Sequence, residues 1–294
     1  MIYRELAGGR VSLLGYGCMR FPTKDGRIDE ERAGALLRRA YEAGVNYFDT
    51  AYNYHDMQSE PFVGKFFENL PRESFYLATK FPCWKPETIE DAKEIFEFQR
   101  KNLRTECIDY YLLHALGGER WEKMKNLGII PLLEEYQREG KIGKLGFSFH
   151  DTYEKFEEIL RARKWDFCQI QFNYMDMFEQ AGERGLKLAE ELGVDVIVME
   201  PVKGGMLATL PDEVAAPLRA LLPEASPASW ALRFVEGYEN VKLILSGMSA
   251  MEQLEENLAT LDAPNPLCDA EADALLEAAE LLGARTNNAC TACR

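Results

Sequence analysis

Three ionisable side chains each close an apolar run early in the chain. Asp49 ends NYFD, Lys80 ends LATK and His114 ends YLLH. Any strand has to end in something polar, so one such residue would mean little. Three in successive runs, all ionisable, make a constellation that can converge on one reacting group. Two phenols, Tyr52 and Tyr54, follow Asp49 within five residues, with His55 beside the second. A carboxylate, an ammonium, an imidazole and a phenol are side chains suited to moving protons.

A scaffold has to bring them together. Eight runs rich in Val, Ile, Leu, Tyr and Phe recur, at 11–18, 45–49, 74–80, 107–114, 141–148, 166–173, 194–200 and 241–247. Amphipathic segments separate them. In DEERAGALLRRAYEAG the apolar or small residues fall at 33, 36, 37, 40, 41 and 44, one face of a helix, with Asp29 as N-cap and Gly44 as stop. Strand–helix alternation repeated eight times predicts a parallel sheet with helical crossovers, and near-continuous apolar strands predict that both faces are covered. A closed (β/α)8 TIM barrel is the economical solution. An open doubly wound sheet would show G-x-G-x-x-G after its first strand. Here the strand runs into GYGCMRFP, with no third glycine. In a barrel, chemistry sits at the C-terminal ends of the strands, which is where Asp49, Lys80 and His114 fall. The expected division is a barrel over 1–263, entered through an N-terminal hairpin, and a further helix with a cysteine-containing tail over 264–294.

Composition narrows the partners. The 294 residues are 47% hydrophobic, enough for a sizeable core. The net charge of −15 and a pI near 4.8 argue against a nucleic-acid surface or an anionic membrane as partner. MIYRELAGGR has no apolar signal core, and no apolar run approaches the ~18 residues of a membrane span. A soluble cytoplasmic protein is expected, and no feature specifies an oligomeric state. Five of the seven cysteines are scattered, as reduced thiols would be. Cys290 and Cys293 sit together in NNACTACR.

FDTAYNY, ATK and YYLLH, in that order and spacing, resemble the aldo-keto reductases, from LGYGCMRFP through DTAYNYHDMQSE to LSGMSAMEQLEENL. The resemblance implies a catalytic tetrad of Asp49, Tyr54, Lys80 and His114. D-T-A-x-x-Y selects Tyr54, which leaves Tyr52 to packing. It implies reduction of an aldehyde, ketone or quinone by hydride from NADPH or NADH, with Tyr54 as general acid. Lys80 would favour the phenolate, Asp49 would hold Lys80 charged, and His114 would donate to the substrate oxygen. His55 and His150 receive no catalytic role.

The resemblance also places the cofactor, against Met19, Arg20, Ser148, Gln169, Met199, Ser246, Gly247, Ser249, Gln253, Glu256 and Asn257. Phe149 stands where the family has an asparagine on the carboxamide, and Met199 where many members stack an aromatic ring. The stretch from Ser246 to Asn257 contains no Lys or Arg, so the NADPH preference is expected to be weak or reversed. The segment 201–225 is long enough to fold over the cofactor. The tail is similar to that of bacterial relatives that continue into a ferredoxin-like segment. Cys290 and Cys293 would supply only two of the four thiolates that a [4Fe–4S] cluster needs, so a cluster is expected only if the native chain continues past Arg294. The alternatives to a carbonyl reductase are a cofactor-sensing subunit and an electron-transfer protein with a partner, using such a cluster.

Overall fold

The computed structural model describes residues 1–285. The chain opens with an antiparallel hairpin, β1 (Tyr3–Leu6) and β2 (Gly9–Ser12). β3 (Leu14–Gly17) follows, then a small hairpin of β4 (Thr23–Lys24) and β5 (Arg27–Ile28). The expected single run at 11–18 is therefore split at Leu13. The corner is held by Leu13 N–H to Ile2 O (2.8 Å) and Ser12 Oγ to Leu14 O (2.7 Å). The remaining strands are β6 (Tyr47–Asp49), β7 (Tyr76–Phe81), β8 (Ile108–Leu116), β9 (Ile142–Phe149), β10 (Phe167–Gln171), β11 (Asp195–Met199) and β12 (Val241–Ser246). With β3 they close a parallel barrel of eight strands in sequence order. This is the expected (β/α)8 TIM barrel.

The outer layer carries α1 (Glu30–Glu42), α2 (Ser59–Phe67), α3 (Ile89–Leu103), α4 (Gly118–Asn126), α5 (Ile129–Arg138) and α6 (Tyr153–Arg161). It continues with α7 (Gly182–Glu191), α8 (Asp212–Leu221), α9 (Pro227–Glu236), α10 (Met251–Thr260) and α11 (Asp269–Arg285). In α1 the Asp29 carboxylate accepts from Arg32 N–H at 3.2 Å, an N-cap. Ala33, Leu36, Leu37 and Ala40 are its buried face. Gly44 takes φ +96°, a turn only glycine makes cheaply. The crossovers α2, α4 and α8 were not legible. Each is short, two begin beside glycine or proline, and α8 contains Pro217.

The hairpin closes the N-terminal end of the barrel. Leu6 and Val11 are fully buried among Tyr47, Tyr110, Leu112, Phe167 and Leu243. Burial of side chains of this size contributes roughly 1.5–3 kcal/mol each. Tyr110 OH donates to Leu6 O at 3.0 Å, and Ala7 N–H to Asp195 at 2.6 Å. With one end plugged, the buried polar groups collect at the other. The segment 201–225 docks through α8: Val214 and Leu218 pack with Leu275, Ala278 and Leu282 of α11 and with Trp230. No helix among the described residues is long and apolar enough to cross a membrane.

Candidate active site

Asp49 is the last residue of β6, Lys80 the fifth of six in β7, and both are buried. The Lys80 ammonium donates to the Asp49 carboxylate, to Thr50 O at 2.8 Å and to Tyr54 OH at 3.5 Å. Those three acceptors match its three N–H groups. Tyr54 reaches Lys80 because the chain turns sharply after β6. His55, Asp56 and Met57 all lie at positive φ, and Tyr54 O accepts from Ser59 N–H at 3.3 Å. Three consecutive non-glycine residues in that region store strain, a feature that clusters at functional sites.

Burial alone favours a neutral lysine, yet Asp49 and Tyr54 outweigh it and hold the Lys80 pKa above its ordinary value. For the phenol the balance differs from the expectation. Burial pushes Tyr54 up, and Lys80 only partly pulls it back, so the net shift is upward. The lysine therefore limits the cost of ionising a half-buried phenol rather than making it a strong acid.

A second polar layer fixes the backbone behind Lys80. Glu60 accepts from Thr79 Oγ1 and Gln99 Nε2, both at 2.6 Å. Gln99 Nε2 also donates to Lys80 O at 3.0 Å, and Tyr111 OH donates to Gln99 Oε1 at 2.6 Å. All of these residues are buried. Sequence reading missed this layer. Its signal is Glu60 and Gln99, polar residues falling on the buried faces of α2 and α3. Tyr52 packs 5.9 Å from the Phe98 ring.

His114 sits edge-on to Tyr54, ring centres 6.1 Å apart, with Trp84 5.2 Å away on its other side. Burial, then the positive charge of Lys80, hold its pKa well below the ordinary histidine value. The imidazole is neutral, one N–H donor and one acceptor. A half-buried histidine held neutral costs stability as pH falls through about 6.5, because the unfolded chain takes up a proton that the folded one refuses. The difference in Tm between wild type and His114→Gln is therefore expected to shift against the wild type between pH 7.5 and 5.5. A constant difference would mean that His114 is protonated in place.

The cofactor residues expected from sequence line one side of the same mouth. Gln169 Oε1 is buried without a partner, while its Nε2 lies 3.3 Å from Met199 Sδ. An orphaned acceptor there fits a carboxamide N–H. Ser148 Oγ accepts from Ala115 N–H at 2.8 Å. Phe149 is buried against Phe156, ring centres 5.2 Å apart, so it packs outward and leaves the clamp one polar group short. Asn257 Nδ2 donates to Ser246 Oγ at 2.9 Å. Gln253 Oε1 accepts from Ser249 N–H and Oγ at 2.9 and 3.3 Å. Glu256 O accepts from Thr260. Met19 is 57% exposed. The Arg20 stem lies against Gly247, where a Cβ would come within 3.1 Å, and its Nη2 lies 3.5 Å from the Cβ position of Gly204. Arg20 thus spans the loops after β11 and β12.

Sequence reading also missed a network that pins the loop after β11. Asp176 pairs with Lys203 and accepts from Gln171 Nε2 (2.8 Å) and Asn173 Nδ2 (3.0 Å). Gln169, Gln171 and Asn173 alternate in CQIQFN, which was the available clue. Cys290 and Cys293 lie outside the described residues. Among the described residues, no three His, Cys, Asp or Glu groups are placed to hold a metal ion.

The model of the Aldo/keto reductase family matches residues 13–280. An uncharacterised oxidoreductase of Bacillus subtilis, YqkF, is 27% identical over 86% of this chain and 88% of its own. The NADH-specific methylglyoxal reductase of Escherichia coli is 25% identical over 89% and 91%. Among solved structures, the holo form of the aldo-keto reductase AKR11C1 from Bacillus halodurans superposes with a TM-score of 0.80, at 27% identity, over 95% of this chain and 96% of that one. The barrel, the buried Asp49–Lys80 pair with Tyr54 beside it and a family match across nearly the whole chain agree: the chain belongs to the aldo/keto reductase family and is an NAD(P)H-dependent oxidoreductase.

Proposed function

We propose that Tyr54 is the general acid of a carbonyl reduction, assisted by Asp49, Lys80 and His114. The observation that carries this reading is the buried Lys80 ammonium shared between the Asp49 carboxylate and the Tyr54 hydroxyl. A reduced nicotinamide, when bound, supplies hydride to the carbonyl carbon. The chain's own residues manage the oxygen. Tyr54 gives it a proton as negative charge grows there. Lys80 stabilises the phenolate left behind, and Asp49 keeps Lys80 charged. Neutral His114 offers an N–H to the same oxygen. Gln169 Oε1 and Ser148 fit the carboxamide, and Met199 offers a polarizable surface for the ring. Oxidation of NADH and NADPH against a panel of aldehydes, ketones and quinones tests the reading. Cofactor binding without turnover of any of them would favour a cofactor-sensing subunit.

Discrimination between the two cofactors is proposed to be weak, or to favour NADH. Gln253 stands where a phosphate-binding arginine is common, and its Oε1 is committed to Ser249. Charge-assisted hydrogen bonds are roughly twice as strong as neutral ones. Gln253→Arg is expected to move selectivity towards NADPH, read as the ratio of dissociation constants at one ionic strength. A wild-type preference for NADPH above about a hundredfold, roughly 2.7 kcal/mol, would instead assign the 2′-phosphate to Arg20, the exposed cation against Gly247. Work in the cytoplasm is part of the proposal, supported by free thiols at Cys18, Cys83, Cys107, Cys168 and Cys268. The electron-transfer alternative rests on Cys290 and Cys293 alone. Iron and sulfide analysis of the protein tests it.

A further inference from the structure

We propose that Arg120 anchors a carboxylate on the substrate, and that the carbonyl compounds this enzyme prefers are oxo acids or semialdehydes whose carboxylate lies several bonds from the reacting carbon. The inference rests on Tyr54 and His114 marking the reacting centre. It concerns the loops after β7 and β8, next to Ser148, whose hydroxyl bonds the Ala115 amide.

Arg120 lies on α4, in the loop region after β8, and Trp84 in the loop after β7. The two loops meet over His114. The Arg120 guanidinium carbon stands 5.5 Å from the Trp84 ring centre, and that ring stands 5.2 Å from His114. A path therefore runs from the Tyr54 hydroxyl past His114 and along the indole to a guanidinium. Trp84 is 40% exposed, so its ring offers an apolar surface along the path.

The guanidinium is only partly committed. Its Nη1 donates to Ala115 O at 2.6 Å. Nε and Nη2 meet no acceptor, and Arg120 pairs with no carboxylate among the described residues. Nε and Nη2 form one edge of the fork, the edge with which Arg39 grips Glu255 in this same chain, at 2.6 and 2.8 Å. Two parallel N–H donors of this kind fit a carboxylate side-on.

The nearby acids do not fill that place. Asp151 accepts from the Gly118 and Thr152 amides, both at 2.8 Å. Glu87 pairs with Lys123 at 3.0 Å and Glu122 with Lys125 at 2.6 Å. Other arginines of this chain, Arg72 on Asp109 and Arg233 on Glu271 among them, do reach a carboxylate, at 2.6 and 2.7 Å. A half-buried arginine that keeps its better edge open, beside a reacting centre, is best explained by a ligand that brings the charge. The surrounding field of a −15 protein repels anions, so a local cation is what an anionic substrate would require.

The alternative is a structural clamp. Ala115 follows His114 at φ +48°, and Arg120 holds its carbonyl while Ser148 holds its amide. On that view Arg120 acts through His114 and treats all substrates alike. Steady-state kinetics with 4-carboxybenzaldehyde and benzaldehyde separate the two. The wild type should favour the carboxylate by about tenfold or more in kcat/KM. Arg120→Met should collapse that ratio, with the loss in KM for the charged aldehyde, and Arg120→Lys should keep part of it. An equal loss for both aldehydes would make Arg120 a clamp and overturn the proposal, as would an unchanged ratio. Benzoate should inhibit the wild type competitively with benzaldehyde, a measurement independent of any variant, and failure to compete would count against the site. Glyceraldehyde 3-phosphate against glyceraldehyde is the second pair. A preference there with none in the first pair would reassign Arg120 to phosphate and overturn a carboxylate site. No turnover of any aldehyde, ketone or quinone would sink the underlying functional reading, whereas turnover of benzaldehyde without discrimination, or of ketones and quinones but neither aldehyde of the pair, sinks this proposal alone.

Discussion

Tyr54→Phe is expected to lower turnover by at least about a hundredfold, a loss of transition-state stabilisation of roughly 2.7 kcal/mol or more. Cofactor binding, followed by fluorescence, should stay near the wild-type value, because the hydroxyl's partner is Lys80, at 3.5 Å, and not Gln169 or Met199, the residues proposed to hold the nicotinamide. The substitution removes one acceptor from a buried ammonium that retains Asp49 and Thr50 O. The stability cost should be about 1–3 kcal/mol, visible as a lower Tm but short of unfolding. Tyr52→Phe is the matched control. Its ring packs against Phe98, with the Lys85 ammonium 5.0 Å from the ring centre, so its loss should leave turnover near wild type. If Tyr54→Phe keeps most of its activity while Tyr52→Phe loses it, the proton comes from the other phenol and the path from Lys80 has been misassigned.

The barrel was legible because each strand is apolar on both faces, which calls for helices over a parallel sheet, and because GYGCMRFP lacks the third glycine that the open doubly wound alternative would show. Strand ends were legible for the same reason: Asp49, Lys80 and His114 interrupt apolar runs, and the interruption marks the open end. Helices with a clean stripe and a cap, such as α1 with Asp29 and Gly44, could be read to within a residue or two. α2 could not. Its nine residues begin without a capping side chain, and Pro61 obscures the pattern. It is fixed by tertiary contact instead: a Cβ on Gly64 would stand 2.1 Å from Asn102 O, so only glycine lets α2 lie against the end of α3.

The site was half legible. Single groups at strand ends announce themselves, but the partners that hold them do not. Glu60 and Gln99 lie 39 positions apart and share no local signature. The balance of burial against charge at Tyr54 is likewise a three-dimensional quantity. Sequence puts the neighbouring lysine in charge of it, and in the fold burial outweighs the lysine.

Lys80→Met probes that balance most directly and carries the largest expected loss, about a thousandfold or more in kcat/KM, since it removes charge that matters only as the phenolate forms. The pH profile should move as well. With Tyr54 in the proposed role of general acid, reduction needs its protonated form, so the rate falls as pH rises through the phenol's pKa. Removing the ammonium takes away the influence that lowers that pKa, so the alkaline limb of the residual activity should move to higher pH. The variant also strands Asp49, whose carboxyl is buried and whose second oxygen already lacks a partner. Breaking a buried pair by removing one member costs about 3–5 kcal/mol, so a loss of activity by itself could be a loss of fold. The double variant Asp49→Asn/Lys80→Met resolves the ambiguity, because a neutral amide leaves no uncompensated charge. Its Tm should recover most of what Lys80→Met loses, while its activity stays as low. Recovery of activity together with Tm would show that Lys80 serves folding alone, and an alkaline limb that stays in place in Lys80→Met would show that its charge does not reach the phenol.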